Sequence, residues 1–153
     1  MRPLRRPDRA LSPTEAEQLL AQQEYGVLST VDAQGQPYAI PLNYAFGDGS
    51  IYFHCALSGH KLDNLAANGR VCFCVVGRTE LLPAEFATRY ESVLAFGTAS
   101  EVTGEERRKA LGWLVKKYSP CFRAEGERYI EQHDAATRVF KIRIDHLSGK
   151  ARR

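Results

Sequence analysis

The chain has 153 residues, 44% of them hydrophobic and 25% charged, a composition that fits one globular core; no apolar run approaches the roughly 20 residues of a membrane-spanning helix. Its formal charge of +3 does not point to a nucleic-acid groove, because seven of the 21 basic residues and one of the 18 acidic ones lie in residues 1–9 and 150–153. The remaining body, with 14 basic and 17 acidic side chains, is slightly negative, so no nucleic-acid partner is expected.

The first residues, Met1-Arg2-Pro3-Leu4-Arg5-Arg6, are charged without the apolar stretch of a secretory signal, and a cytoplasmic location is expected. Segments 1–11 and 149–153 read as flexible basic tails on a single domain spanning 1–153. Ser12-Pro13-Thr14-Glu15 then combines an N-cap, a first-turn proline and a capping-box glutamate, which predicts a helix over 13–23. Residues 25–31 and 38–46 are β-rich and flank a turn at Asp32-Ala33-Gln34-Gly35; after Gly47-Asp48-Gly49 a third strand covers 50–55. Pro41 cannot donate a ladder hydrogen bond and should mark an edge or a bulge. A short helix follows over 61–67, then a buried strand over 71–76, a long connection over 77–90, and a strand over 92–102 in which Gly97 allows a bend or bulge. Residues 105–117 form a helix with Ala110, Leu111, Leu114 and Val115 on one side, and a further helical piece covers 123–132. Residues 137–144, strictly alternating from 139, close the chain as a sixth strand. These elements predict a mainly β fold, a six-stranded antiparallel split barrel with peripheral helices.

Chemistry concentrates between Tyr52 and Lys61. Ser58-Gly59-His60-Lys61 places a hydroxyl, a flexible glycine, an imidazole and an ammonium where a helix begins, a donor set suited to a phosphate; a capped helix with an exposed lysine is the competing reading. His54 ends a strand, where an imidazole could move a proton or simply sit hydrogen-bonded at a barrel rim. Ser92 enters a strand where its hydroxyl could meet a ligand. His133 and His146 lie in polar surroundings and read as surface residues. Cys55, Cys72, Cys74 and Cys121 form no zinc-like pairing and read as reduced packing residues, so no metal is expected.

In order and spacing, Pro41-Leu42-Asn43-Tyr44, Ile51-Tyr52-Phe53-His54, Gly59-His60-Lys61, Val71-Cys72-Phe73, Tyr90 with Ser92-Val93, Ala110-Leu111 with Lys117-Tyr118, and His146-Leu147-Ser148-Gly149-Lys150 are similar to one family. The chain resembles the pyridoxamine-phosphate-oxidase-like FMN-binding split barrels, most closely their nitroimidazole-resistance branch. The resemblance implies a homodimer with FMN at the subunit interface. It further implies that Leu42, Asn43 and Tyr44 line the isoalloxazine with backbone and side chain, that Phe53, His54, Cys55 and Ala56 run beneath the cofactor, and that His60, Lys61 and Ser92 approach its phosphate. His54 would face the flavin and take part in redox or proton transfer. The arginines with which the oxidases proper hold pyridoxal phosphate are missing, so vitamin B6 is not the expected substrate.

Two classes of function follow from this resemblance. One is an FMN-dependent reductase, fed by a reduced nicotinamide or another donor, acting on a small electrophile such as a nitroaromatic or 5-nitroimidazole. The other is a non-catalytic protein that stores, senses or sequesters flavin, or binds haem through His54 or His60.

Overall fold

The structure, a computed structural model, describes residues 3–153; Met1 and Arg2, the start of the expected N-terminal tail, lie outside the described residues. Seven strands, β1 (Gly26–Val31), β2 (Pro37–Leu42), β3 (Ala45–Gly47), β4 (Ser50–Cys55), β5 (Arg70–Leu82), β6 (Ala87–Glu101) and β7 (Arg138–Arg152), pair antiparallel in one sheet. The order is β2-β1-β5-β6-β7-β4-β3. Its two edges, β2 and β3, are consecutive in the chain and separated only by Asn43 and Tyr44. Leu42 and Ala45 are therefore at most ~11 Å apart along the backbone, whereas a flat sheet of seven strands would hold its edges ~29 Å apart. The sheet has to curl until its edges meet without pairing, which makes it a split barrel.

The barrel has seven strands where six are expected, because the predicted strand over 38–46 breaks at Asn43-Tyr44. There the Tyr44 amide donates to the Tyr118 hydroxyl (2.9 Å) instead of to a neighbouring strand. Pro41 lies on β2, an outer strand of the sheet, opposite Val27. The register between β6 and β7 shifts at Phe96/Gly97, as expected of a bulge; a Cβ on Gly97 would come within 2.0 Å of the Arg143 carbonyl oxygen.

Four helices dress the barrel: α1 (Pro13–Gln22), α2 (His60–Ala67), α3 (Gly104–Tyr118) and α4 (Arg123–Gln132). The capping box of α1 forms as its sequence predicts, with the Ser12 amide donating to Glu15 Oε2 (2.9 Å) and the Glu15 amide to Ser12 Oγ (3.3 Å). A cap of this kind stabilises by about 1 kcal/mol. It aims Ala16, Leu19 and Leu20 at the barrel interior, where they meet Leu28, Phe53, Phe73 and Ile142. A second apolar cluster lies under α3, where Ala110, Leu111 and Leu114 cover Tyr52 and Val139.

Two expectations are corrected. The segment over 77–90 is no loose connection: β5 and β6 continue past a bulge at Val76/Thr79 into a paired arm, Thr79 to Tyr90 and Leu82 to Ala87, turned by Pro83–Glu85. The residues alternate as a strand should, but with polar groups on both faces, so no apolar periodicity marks them. Nor do residues 150–152 form a loose tail. Ser92 pairs with Lys150 and Tyr90 with Arg152, while Ala10 bridges to Lys150 and the Leu11 amide donates to the Gly149 carbonyl (3.0 Å). The basic side chains that suggest a tail are answered by neighbouring elements: Arg153 meets Glu15 on α1 at 2.8 Å and Glu91 on β6 at 3.3 Å.

Candidate functional site

The alternation of β4 decides where its side chains go. Ile51, Phe53 and Cys55 point into the main core, so Tyr52 and His54 point to the opposite face, toward α3. Phe53 is fully buried and stacks on Phe140 with ring centres 5.6 Å apart. Cys55 is buried as well, and that burial raises its thiol pKa despite the opposing charges of Lys61 and Arg138. Neither side chain is presented on the surface. His54 keeps an exposed edge, and the protein around it lowers its pKa, first by desolvation and second through the positive charge of Lys61. Its imidazole is therefore held toward the neutral form.

The seam between β2 and β3 supplies the opposite wall. Leu42 is half-buried against the main core and Asn43 is exposed. Tyr44, expected to contribute its side chain to a ligand, has its ring fully buried against Phe73, 4.8 Å away, with its hydroxyl donating to the Leu20 carbonyl. The whole residue is buried, backbone included. That backbone is closed by Tyr118, whose hydroxyl accepts from the Tyr44 amide and shares its proton between the Glu24 and Tyr44 carbonyls at 2.5 and 2.9 Å. The adjacent Lys117 lays its ammonium over the Tyr44 ring, 3.8 Å from the centre, and its Nζ is buried with no hydrogen-bond partner. Desolvation lowers its pKa to about 8.

Asn43 and His54 line a cavity of about 240 Å³, open to solvent and flanked by α3 and α4. Leu111, Leu114, Val115 and Ile130 provide apolar walls, while Tyr118, Tyr129 and His133 complete it. His133, exposed as expected, lines this cavity from the end of α4. Residue spacing could not reveal the shared cavity, which forms because α4 packs on α3.

The other half of the expected site is the start of α2. Gly59 adopts φ +141°, a conformation that favours glycine, and no side chain caps the helix. Its carbonyl accepts the Leu62 and Asp63 amides, leaving those of His60 and Lys61 without a partner among the described residues. The His60 ring lies 4.0 Å from the Tyr38 ring on β2, and α2 is fastened by Asn64, which donates to Thr30 Oγ1 at 2.9 Å. Lys61 takes part in no ion pair among the described residues. Free amides and an uncommitted ammonium fit a phosphate. Ala56 is exposed between β4 and this turn. Ser92 stands apart, half-buried in β6 between Val76 and Lys150, and no hydrogen bond among the described residues joins it to α2. His60 lies outside the cavity that holds His54.

Among the described residues no group of three or more histidine, cysteine or acidic side chains could hold a metal, and no helix is long and apolar enough to cross a membrane. No curated protein matches the chain. Among solved structures it superposes on a protein from Bacteroides thetaiotaomicron named for 5-nitroimidazole antibiotic resistance, with TM-score 0.75, 22% identity, 93% of this chain and 86% of that one covered. It also superposes on a FAD-binding protein from Mesorhizobium loti (TM-score 0.71, 24% identity, 95% and 98% covered). A FAD- and haem-binding protein from Mycobacterium smegmatis matches at TM-score 0.80 and 23% identity, over 92% and 71% of the two chains. At these identities the likeness is one of fold. A family model described as pyridoxamine 5'-phosphate oxidase matches residues 12–151, nearly the whole of the curled sheet and its helices, and the chain belongs to that family.

Proposed function

We propose that the protein binds FMN and uses it to reduce a small electrophile, such as a nitroaromatic or 5-nitroimidazole, as a homodimer with the cofactor at the subunit interface. The observation that carries this reading is the pairing of an uncapped α2 N-terminus, with Lys61 uncommitted, and an outward-facing His54 whose pKa feels the Lys61 charge. His60, Lys61 and the free amides hold the phosphate, and Ser92 joins them only if a second copy brings its β6 there. Leu42 and Asn43, with the strand edge from Phe53 to Ala56, bound the ring system, and buried Tyr44 supports them from behind. The strongly exposed Leu81 and Phe86 at the tip of the β5–β6 arm support association with a second copy.

The flavin supplies the two-electron chemistry, and the protein supplies orientation and proton handling. His54 rests neutral near pH 7 because its pKa is lowered; it accepts a hydrogen bond or takes up a proton from solvent before giving one to a bound electrophile. The structural neighbours named for flavin binding and for nitroimidazole resistance lend weight to both halves of the reading. The absorbance spectrum of the purified protein tests the cofactor, and a colourless protein that takes up no FMN refutes it. Anaerobic mixing with NADH or NADPH, then with a nitro compound, tests the turnover. His54→Ala should keep FMN and lose most of that turnover; full activity would remove His54 from the chemistry.

A second reading, haem capture, is favoured by the exposed imidazole of His54 and by the Mycobacterium smegmatis neighbour named for FAD and haem. A Soret band in the purified protein would select it.

A further inference from the structure

We propose that the cavity between β4, α3 and α4 is a binding site for a one-ring planar heteroaromatic that carries an N–H donor, with Nε2 of His133 as the accepting atom. The assignment deepens the reductase reading by locating its substrate, and its local claim stands or falls separately from flavin binding.

His133 is held in one orientation. It caps the end of α4, its backbone amide donating to the Tyr129 carbonyl at 3.1 Å while its ring Nδ1 meets the same oxygen at 2.9 Å. A carbonyl can only accept, so Nδ1 carries the proton and the neutral ring presents a bare lone pair at Nε2. The imidazole also stacks on the Tyr129 ring, centres 4.0 Å apart and 24° between planes. The turn behind it is clamped to α3: Arg107 binds the Asp134 carboxylate and the Asp134 and Thr137 carbonyls, and Thr137 Oγ1 donates to the His133 carbonyl at 2.9 Å. Arg107, though it lines the cavity, has its guanidinium committed to this clamp and is not an anion receptor. Nε2 has no partner among the described residues. The ring is exposed, so a ligand donor replaces water at Nε2, and because the direction of the lone pair is fixed the exchange costs little ordering.

The remaining walls choose the ligand. Leu111, Leu114, Val115 and Ile130 are apolar, and His54 and Tyr118 add flat faces, so a planar ring is preferred over a charged or branched molecule. The volume of about 240 Å³ exceeds the ~150 Å³ of an engineered cavity that takes up benzene and falls below the ~300 Å³ at which drug-sized pockets begin. One substituted ring fits. Because His54 lines the same space, a molecule held by His133 lies beside the residue assigned to proton transfer.

The experiment titrates 4-nitroimidazole, and separately 1-methyl-4-nitroimidazole, into the purified protein with and without added FMN, following the four histidine imidazoles by NMR. The expected result is movement of the His133 and His54 signals alone, with the N-methyl compound binding roughly three- to tenfold more weakly because its donor is gone. His133→Phe, which keeps the stacking and loses Nε2, should erase that difference between the two probes. Shifts confined to His60 or His146, no shift at all, or equal affinity for the two probes would overturn the proposal. FMN uptake is read from the same samples by flavin fluorescence. Uptake with an unmoved His133 sinks this site alone; a moving His133 without uptake upholds the site and sinks the flavin reading.

Discussion

The start of α2 and the seam at Asn43-Tyr44 both leave backbone groups without helix or ladder partners, and they dispose of them in opposite ways. At α2 the amides of His60 and Lys61 stay open beside an uncommitted ammonium. At the seam, the Tyr44 amide and carbonyl are closed by one hydroxyl from a residue 74 positions away. Orphaned backbone therefore marks a binding site only where no side chain arrives to satisfy it. The seam is architecture, holding Asn43 at the cavity mouth, and the α2 turn is the open receptor.

The largest expected effect breaks the seam. Tyr118→Phe leaves the Tyr44 amide and two carbonyls without their partner, and should cost about 2–3 kcal/mol in chemical denaturation. A loss below about 0.5 kcal/mol would mean that water replaces the hydroxyl and that the seam is as open as α2. Next in size, Lys61→Ala should weaken FMN binding by about 30-fold, the worth of one charge-assisted phosphate contact, while leaving stability nearly unchanged. Unchanged affinity in a fluorescence titration would take the receptor role from α2. If both results hold, the two regions divide cleanly into one that keeps the fold and one that keeps the ligand.

This division also explains what was legible in the sequence. The α1 capping box, the α2 turn and the helices under Ala110 and Leu114 are written in residues a few positions apart, and local chemistry alone predicts them. The barrel's curl, the break in the strand over 38–46, and the cavity are products of pairing across long separations. Tyr118 gives no local hint that it stops a strand at Tyr44, and His133, exposed as expected, shares a cavity with His54 only through the packing of α4 on α3. The arm over 77–90 escaped notice for another reason: with polar residues on both faces, its strands carry no burial pattern.

Lys117 offers a smaller test of how tightly the seam is closed. A lysine whose pKa is lowered by folding is protonated at neutral pH at a cost, and that cost vanishes as pH rises from about 8 toward the ordinary lysine value. Lys117→Met keeps the aliphatic stem, removes the buried charge and gives up its contact with the Tyr44 ring. It should stabilise by about 1 kcal/mol at pH 7, discounting for the half-exposed stem, and the advantage should shrink toward pH 10. A variant less stable than the parent at both pH values would show that the cation–ring contact outweighs desolvation, and that the seam tolerates charge as readily as α2 does.

The smallest effect joins the two regions. His54 faces the cavity beside the seam, yet the second cause of its lowered pKa is Lys61 at the start of α2. Folding disfavours imidazolium, so this residue withdraws stability as pH falls from the unfolded histidine value through the lowered folded one. Lys61→Met removes the charge and should move the His54 titration upward, toward but not reaching the ordinary value, because burial remains the larger cause. The NMR titration of His54 in the two proteins reads this directly. With FMN bound, a phosphate placed on Lys61 would answer that charge and push the His54 titration upward in the wild type as well. A His54 pKa indifferent to both the substitution and the cofactor would mean that the phosphate end and the proton-transfer end of the site do not sense each other.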